Sequence, residues 1–108
     1  MRGVRAATSR AEVILTEQLS IELLEKTHAF PCPYMFKLIG SEDQGFVARA
    51  VAAVREALQA ERDPPYTTRA TPDGKYIAVS LEPMVYSPQQ VLAVYERVRA
   101  LAGLRYLW

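Results

Sequence analysis

The sequence of 108 residues predicts an α+β domain whose elements run in the order β-α-β-β-α-β. Three patterns carry this prediction: a tight turn between two strand-like runs, and an amphipathic helix on each side of them. In the turn at residues 71–74 (Thr-Pro-Asp-Gly), Pro presets φ, Asp can bond its own backbone, and Gly accepts a positive φ. The run after it alternates, with Ile77, Val79 and Leu81 on one side, which indicates a hairpin and a half-buried strand.

The N-terminal quarter of the chain is predicted to be an arm. Residues 1 to about 11 are expected to be disordered, and residues 12–26, rich in Leu, Ile and Glu, to form a helix or a partly ordered segment. Pro31 and a second proline two positions later break any helix and impose extended geometry. We therefore predict an arm over 1–29 and a single domain over 30–108.

The first core strand and the first domain helix follow these prolines. Residues 34–39 are mostly β-formers, and Gly40 closes the strand. Ser41 and Gln44 have the spacing of a capping box for the helix that follows. The apolar stripe of that helix consists of Val47, Ala50, Val51, Val54 and Leu58.

The hairpin and its continuation form the centre of the predicted sheet. Residues 66–70 are predicted to be a short strand that the turn pairs with residues 75–82. Pro83 cannot donate a ladder hydrogen bond, so the strand is expected to lie at an edge, to bulge or to bend there, and Met84 and Val85 to continue it past the bend.

The second domain helix has the clearest start signal after the hairpin. Ser87 is the predicted N-cap, Pro88 occupies the first helical position, and Gln90 completes a capping box. Gly103 is a predicted C-terminal cap, and residues 104–107 a short last strand. The apolar stripe consists of Val91, Val94, Tyr95, Val98 and Leu101.

This order is the ferredoxin-like arrangement, a four-stranded antiparallel sheet with two helices on one face. The opposite, open face would carry Tyr76, Ala78 and Ser80. Lys37 could project to that face and meet an anionic ligand, or be an ordinary solvated lysine. Tyr76 could be an interface aromatic or a cross-strand packing residue. The candidate ligand- or partner-binding residues are Lys37, Tyr76 and Ser80.

Three motifs in this order resemble the YbeD-like bacterial family (domain of unknown function 493, also called UPF0250). They are Phe-Pro-Cys at 30–32 leading into 36–40, Gly-Lys-Tyr-Ile-Ala-Val at 74–79, and Ser-Pro-Gln-Gln-Val at 87–91 with Tyr95 behind it. The resemblance implies an ACT-like, ferredoxin-like domain and supplies no catalytic residues. By analogy at the level of the fold, it implies a homodimer formed through a sheet edge or the open face. The chain departs from the family at Ala78, where a small hydroxyl residue is more usual, and at Pro83, which interrupts a usually unbroken strand.

Composition restricts the other function classes. The net charge of +1 and the absence of a basic block argue against nucleic acid, and no apolar run is long enough to span a bilayer. Cys32 is the only cysteine, so no internal disulfide can form, which suits the cytoplasm. His28 lacks partners at ligand spacing and is interpreted as a surface or packing residue, and Cys32 as a small buried or half-buried thiol before a strand. No metal site, cofactor or catalytic residue is therefore predicted.

The sequence favours a small non-catalytic regulatory or interaction module that could sense a small metabolite or bind a protein. One alternative is RNA binding by the open face, which needs exposed aromatic residues and a positive field. The least supported alternative is an acylphosphatase-like enzyme, because the chain has no Asn and no glycine-rich basic loop after the first strand.

Overall fold

The structure is a computed structural model that describes residues 10–42 and 45–108. Residues 1–9, where disorder was predicted, lie outside the described residues, and residues 10 and 11 belong to the first helix. The helices are α1 (Arg10–Thr27), α2 (Phe46–Ala57) and α3 (Pro88–Val98). The strands are β1 (Cys32–Pro33), β2 (Phe36–Ser41), β3 (Tyr66–Ala70), β4 (Tyr76–Leu81), β5 (Met84–Val85) and β6 (Leu104–Leu107).

The main sheet has the strand order β3-β4-β2-β6, and every neighbouring pair is antiparallel. An α+β architecture built on antiparallel sheets is therefore confirmed. The β2–β6 register shifts between Ile39 and Gly40, which marks an irregularity in that ladder.

The residues after Pro83 do not continue β4 as the sequence predicted. Met84 and Val85 instead form a separate two-stranded ladder, in which Val85 lies opposite Cys32. The carbonyl oxygen of Pro83 accepts a hydrogen bond from the Tyr34 N–H at 3.0 Å. Because proline has no N–H to donate, the chain leaves the main sheet at this point.

One hydrophobic core lies between the helices and one face of the main sheet. Along β2, buried and more exposed residues alternate, so that Phe36, Leu38 and Gly40 face the core. Each fully buried large apolar side chain contributes about 1.5–3 kcal/mol. The buried apolar residues are Phe36, Leu38, Phe46, Ala50, Val51, Ala53, Val54, Val79, Leu81, Val85, Val91, Val94 and Val98.

The two domain helices begin differently. Ser41 is the last residue of β2 rather than a helix cap, and the N-cap of α2 is Gly45, which makes no side-chain capping bond. The predicted partner Gln44 lies outside the described residues. In α3 the prediction is confirmed, because the Ser87 hydroxyl accepts a hydrogen bond from the Gln90 N–H at 3.3 Å. The predicted C-cap at Gly103 is wrong, since α3 already ends at Val98 and is capped by the next residue.

Candidate functional site

The sheet face opposite the helices is the candidate site, and we call it the open face. Because side chains alternate across a strand, the residues between the core positions of each strand point to this face. The cross-strand register continues the assignment from one strand to the next, since residues directly opposite each other share a face. The open face comprises Lys37, Ile39, Ser41, Thr67, Arg69, Tyr76, Ala78, Ser80, Arg105, Tyr106 and Trp108.

All three residues predicted from the sequence lie on the open face, but only two of them are adjacent. Lys37 on β2 is directly opposite Ser80 on β4. Tyr76 lies four residues earlier on β4, about 13 Å from Ser80 at the rise of an extended strand, and is opposite Ser41. Lys37 is exposed, whereas Tyr76 and Ser80 are half-buried. The three residues therefore mark two ends of one surface rather than a single pocket.

Tyr76 has a cationic neighbour that the sequence did not reveal. The Arg105 guanidinium carbon lies 5.9 Å from the centroid of the Tyr76 ring, within the range of a cation–π interaction. Arg105 is exposed and lies where the β2–β6 register shifts. An arginine over a tyrosine ring places a positive charge next to a planar apolar surface.

Two exposed aromatic residues at the end of the chain extend the open face. Tyr106 lies opposite Ile39 and is 63% exposed, and Trp108 is 56% exposed. Their ring centroids are 6.1 Å apart, and the rings are inclined at 39°. The backbone N–H of Trp108 donates to the backbone carbonyl oxygen of Lys37 at 2.9 Å, which places Trp108 beside Lys37. Sequence reasoning assigned residues 104–107 to a strand but did not recognise these aromatics as part of the site.

The charged residues within the strands of the main sheet are all positive. All four strands lie within the described part of the chain, and none of the four contains Asp or Glu. Three of them carry one cation each: Lys37 in β2, Arg69 in β3 and Arg105 in β6. All three cations are exposed. The acids that border these strands along the chain are Glu42, directly after β2, Asp73 in the hairpin, and Glu82, directly after β4. The open face therefore combines three positive charges with exposed aromatic rings.

His28 and Cys32 lie in a different part of the molecule. The His28 ring packs against Tyr34 and Phe30, with centroid distances of 5.1 and 5.9 Å. One of its ring nitrogens lies 2.9 Å from the Thr27 hydroxyl oxygen. Cys32 is a half-buried free thiol in β1, packed against the core. These contacts make His28 a packing histidine, one of the two roles expected for it, and Cys32 the half-buried thiol that was expected.

Tyr95 is the most perturbed titratable group near this cluster. Its ring lies 5.0 Å from that of Phe36 and meets it edge-on. Burial, and then a hydrogen bond to Tyr34, raise the pKa of the Tyr95 hydroxyl. Tyr95 therefore stays protonated in the folded protein across the physiological range, as a packing residue does.

Two further observations concern metals and membranes. Within the residues that the structure describes, no group of three or more His, Cys, Asp or Glu is positioned to hold a metal ion. Over the same residues, no helix is both long and apolar enough to cross a membrane.

The fold and the open face define a small α+β domain with an exposed cationic and aromatic sheet surface. Residues 25–107 match the sequence profile of a family described as "Protein of unknown function (DUF493)", and the chain belongs to that family. The resemblance to the YbeD-like family is therefore confirmed.

Curated relatives of the chain carry the corresponding family name. A UPF0250 protein of Shewanella putrefaciens is 29% identical over 76 residues, covering 70% of this chain and 84% of that protein. One from Shewanella sp. strain ANA-3 is 29% identical over 84 residues, covering 78% of this chain and 89% of the relative. One from Shewanella amazonensis is 26% identical over 76 residues, covering 70% and 84%.

Proposed function

We propose that the protein is a non-catalytic regulatory or interaction module of the ferredoxin-like, ACT-like type, and that its open face binds an anionic ligand or partner. The strand order β3-β4-β2-β6 supports this architecture, as does the position of α2 after β2 and of α3 after β5. A sheet covered by helices on one side leaves its other side free for recognition.

One observation carries the binding proposal, namely the combination of charge and aromatic rings on the open face. Lys37, Arg69 and Arg105 attract a negative charge, and exposed Tyr106 and Trp108 offer planar apolar contacts. A solvated face that served only to protect the sheet would need lysines rather than a cluster of exposed rings. Tyrosine, tryptophan and arginine are the residues enriched in binding surfaces.

The open face offers binding groups rather than a nucleophile paired with a base. Its polar side chains are cations, hydroxyls, two phenols and an indole, and His28 and Cys32 are held in packing contacts elsewhere. This arrangement supports a binding role over acylphosphatase-like catalysis. A cytoplasmic location, inferred from the single Cys32, belongs to the same proposal.

We further propose that two copies associate through the edge formed by β3. All five residues of this strand are exposed, and β4 pairs with only one of its edges. Antiparallel pairing of two β3 strands would extend the sheet and leave both open faces free. A Thr68→Lys variant should shift the sedimentation coefficient from dimer to monomer, because edge lysines oppose strand pairing. A wild type that sediments as a monomer at all concentrations tested would contradict this interface.

The binding proposal is tested by a thermal-shift screen against amino acids, nucleotides and short-chain organic acids. A ligand at a hundred times its Kd stabilises the folded state by about 2.7 kcal/mol. For a domain of this size, that free energy raises Tm by roughly 10 °C or more. We expect Lys37→Gln and Arg69→Gln to abolish most of the shift, and Arg99→Gln on the helix layer to preserve it. Shifts that survive both open-face substitutions would place the binding site elsewhere.

A further inference from the structure

We propose that the occupant of the open face is single-stranded nucleic acid, whose bases stack on Tyr106 and Trp108 while its phosphates contact the cations of the face. This inference rests on the proposed function and names the ligand. Recognition of single-stranded nucleic acid by a β-sheet requires exposed aromatic rings on the β-strands and a positively charged surface beside these rings.

The aromatic requirement is met at one edge of the sheet. Tyr106 lies in β6 and Trp108 directly follows this strand; 63% and 56% of their surfaces are exposed, and their ring centroids are 6.1 Å apart. Neither ring is buried against the core. Two neighbouring, exposed ring systems are a platform on which successive bases can stack, and stacking tolerates any base because every base has a π-face.

The electrostatic requirement is met across the remaining strands. Lys37 lies beside Trp108 through the backbone pairing of the two residues. Arg105 reaches over the Tyr76 ring from the other end of β6, and Arg69 lies on β3. These cations lie on three strands, β3, β2 and β6, of a four-stranded sheet whose strands are about 4.8 Å apart, so the charged surface is about 14 Å wide. This width suits two or three nucleotides better than one small molecule.

The shape of the site also favours an extended ligand. Small metabolites are usually held in concave pockets that bury most of their surface, whereas the open face presents strand residues on a sheet. Ile39 lies half-buried opposite Tyr106, with Ala78 as its cross-strand neighbour on β4. Beside the rings, β2 and β4 therefore present two uncharged apolar side chains. A single-stranded nucleic acid can lie across such a surface without being enclosed in a pocket.

The test measures fluorescence anisotropy of a labelled ten-nucleotide single-stranded RNA with the full chain, tagged at its N-terminus so that Trp108 stays unmodified. We expect binding at 20 mM salt. Three phosphate contacts correspond to a slope of about −2 for log affinity against log salt on a single strand, so raising salt from 50 to 200 mM weakens binding about 20-fold. The duplex of the same sequence should bind more weakly, because its bases are already stacked.

Substitutions separate the stacking contribution from the charge contribution. Tyr106→Ala and Trp108→Ala should each lower affinity by about 5- to 100-fold with an unchanged salt slope. Lys37→Gln should reduce the magnitude of the slope by about 0.7. The matched controls are Tyr86→Ala, at a tyrosine that is 65% exposed and lies before α3, and Arg99→Gln at the C-cap of α3; both should bind as wild type does. Circular dichroism melts establish that each variant is folded.

Three results would overturn the inference: no binding at 20 mM salt, equal binding of the duplex, or full competition by uridine monophosphate at the same nucleotide concentration. Failure of the inference can be told from failure of the proposed function. If RNA does not bind but a compound in the thermal-shift screen loses its effect in Lys37→Gln, the open face binds a different anion. If neither RNA nor any compound depends on Lys37 or Arg69, both proposals fail.

Discussion

A Gly40→Ala substitution tests how tightly the central strand is held against α2. Gly40 lies on the core side of β2, and a Cβ added there would fall inside the van der Waals radius of the Phe46 ring. Phe46 is fully buried at the first position of α2, so its ring has little room to withdraw. The absence of a side chain at this position is what allows helix and strand to approach.

The expected loss of stability is set by two opposing effects. Overpacking a well-packed core by a methyl group costs about 1–3 kcal/mol. Replacing glycine within a strand returns about 0.5–1 kcal/mol, because alanine loses less conformational entropy on folding. We therefore expect Gly40→Ala to lower the free energy of unfolding by about 1–2 kcal/mol. Urea titration followed by circular dichroism should show the midpoint falling by about 1 M.

A second substitution identifies the cause of that loss. Phe46→Leu shortens the side chain that faces Gly40, so Gly40→Ala should cost less in this background, with a coupling of at least 0.5 kcal/mol. Gly74→Ala is the control: Gly74 has φ of 74° and no atom within 4 Å of an added Cβ, so its cost comes from the backbone and should not change with Phe46→Leu. A neutral or stabilising Gly40→Ala, or an equal loss in both backgrounds, would refute the reasoning.

The remaining predictions concern one helix cap and two titrating groups. Ser87→Ala should cost about 1 kcal/mol in urea titrations, because the Gln90 N–H loses its acceptor, whereas Ser87→Asp should keep most of the stability. Hydrogen bonds from the Lys75 N–H, and then from the Thr71 hydroxyl, lower the pKa of Asp73. The stability that the Asp73 carboxylate contributes to the folded state is therefore present above the usual pKa of 3.8 and is lost as pH falls through the lowered value. NMR titration should give a midpoint below 3.8, and Asp73→Asn should remove this pH dependence; a midpoint at or above 3.8 would contradict it. Burial raises the pKa of Tyr95, so stability should decline as pH rises above 10.0, and less steeply in Tyr95→Phe; identical profiles would contradict the assignment.

The sequence predicted the parts of the fold that local chemistry determines. The turn at 71–74 joins β3 to β4 as expected, because Asp73 accepts the Lys75 N–H at 3.0 Å and the Gly74 N–H bonds back to Thr71 at 2.9 Å. The start of α3 is likewise determined by neighbouring residues in the sequence. The start of α2 is not: Ser41 has the composition of a cap, but its cross-strand pairing with Tyr76 keeps it in β2. Tertiary pairing took precedence over the local capping signal.

The composition of the open face was harder to predict because it depends on an irregularity between strands. A strict alternation of period two would place Leu104 and Leu107 on opposite faces of β6, since they are three residues apart. The register shift between Ile39 and Gly40 brings Leu104 opposite Gly40 and Leu107 opposite Leu38, both on the core side. Tyr106 is thereby placed on the open face, and no signal within residues 104–107 announces this shift.

The overall charge of the chain does not describe the local charge of the open face. A net charge of +1 argues against nucleic acid only if positive and negative residues are mixed over the surface. None of the 12 acidic residues lies in β2, β3, β4 or β6, and several of them, such as Glu17, Glu22 and Glu25, are on α1. With a Debye length of about 8 Å at physiological salt, acids on the helix layer are largely screened from a ligand on the far side of the sheet. The field that such a ligand meets is therefore set by the charges on and beside the main sheet, which are Lys37, its two cationic neighbours and the acids that border the strands, rather than by the sum over the chain.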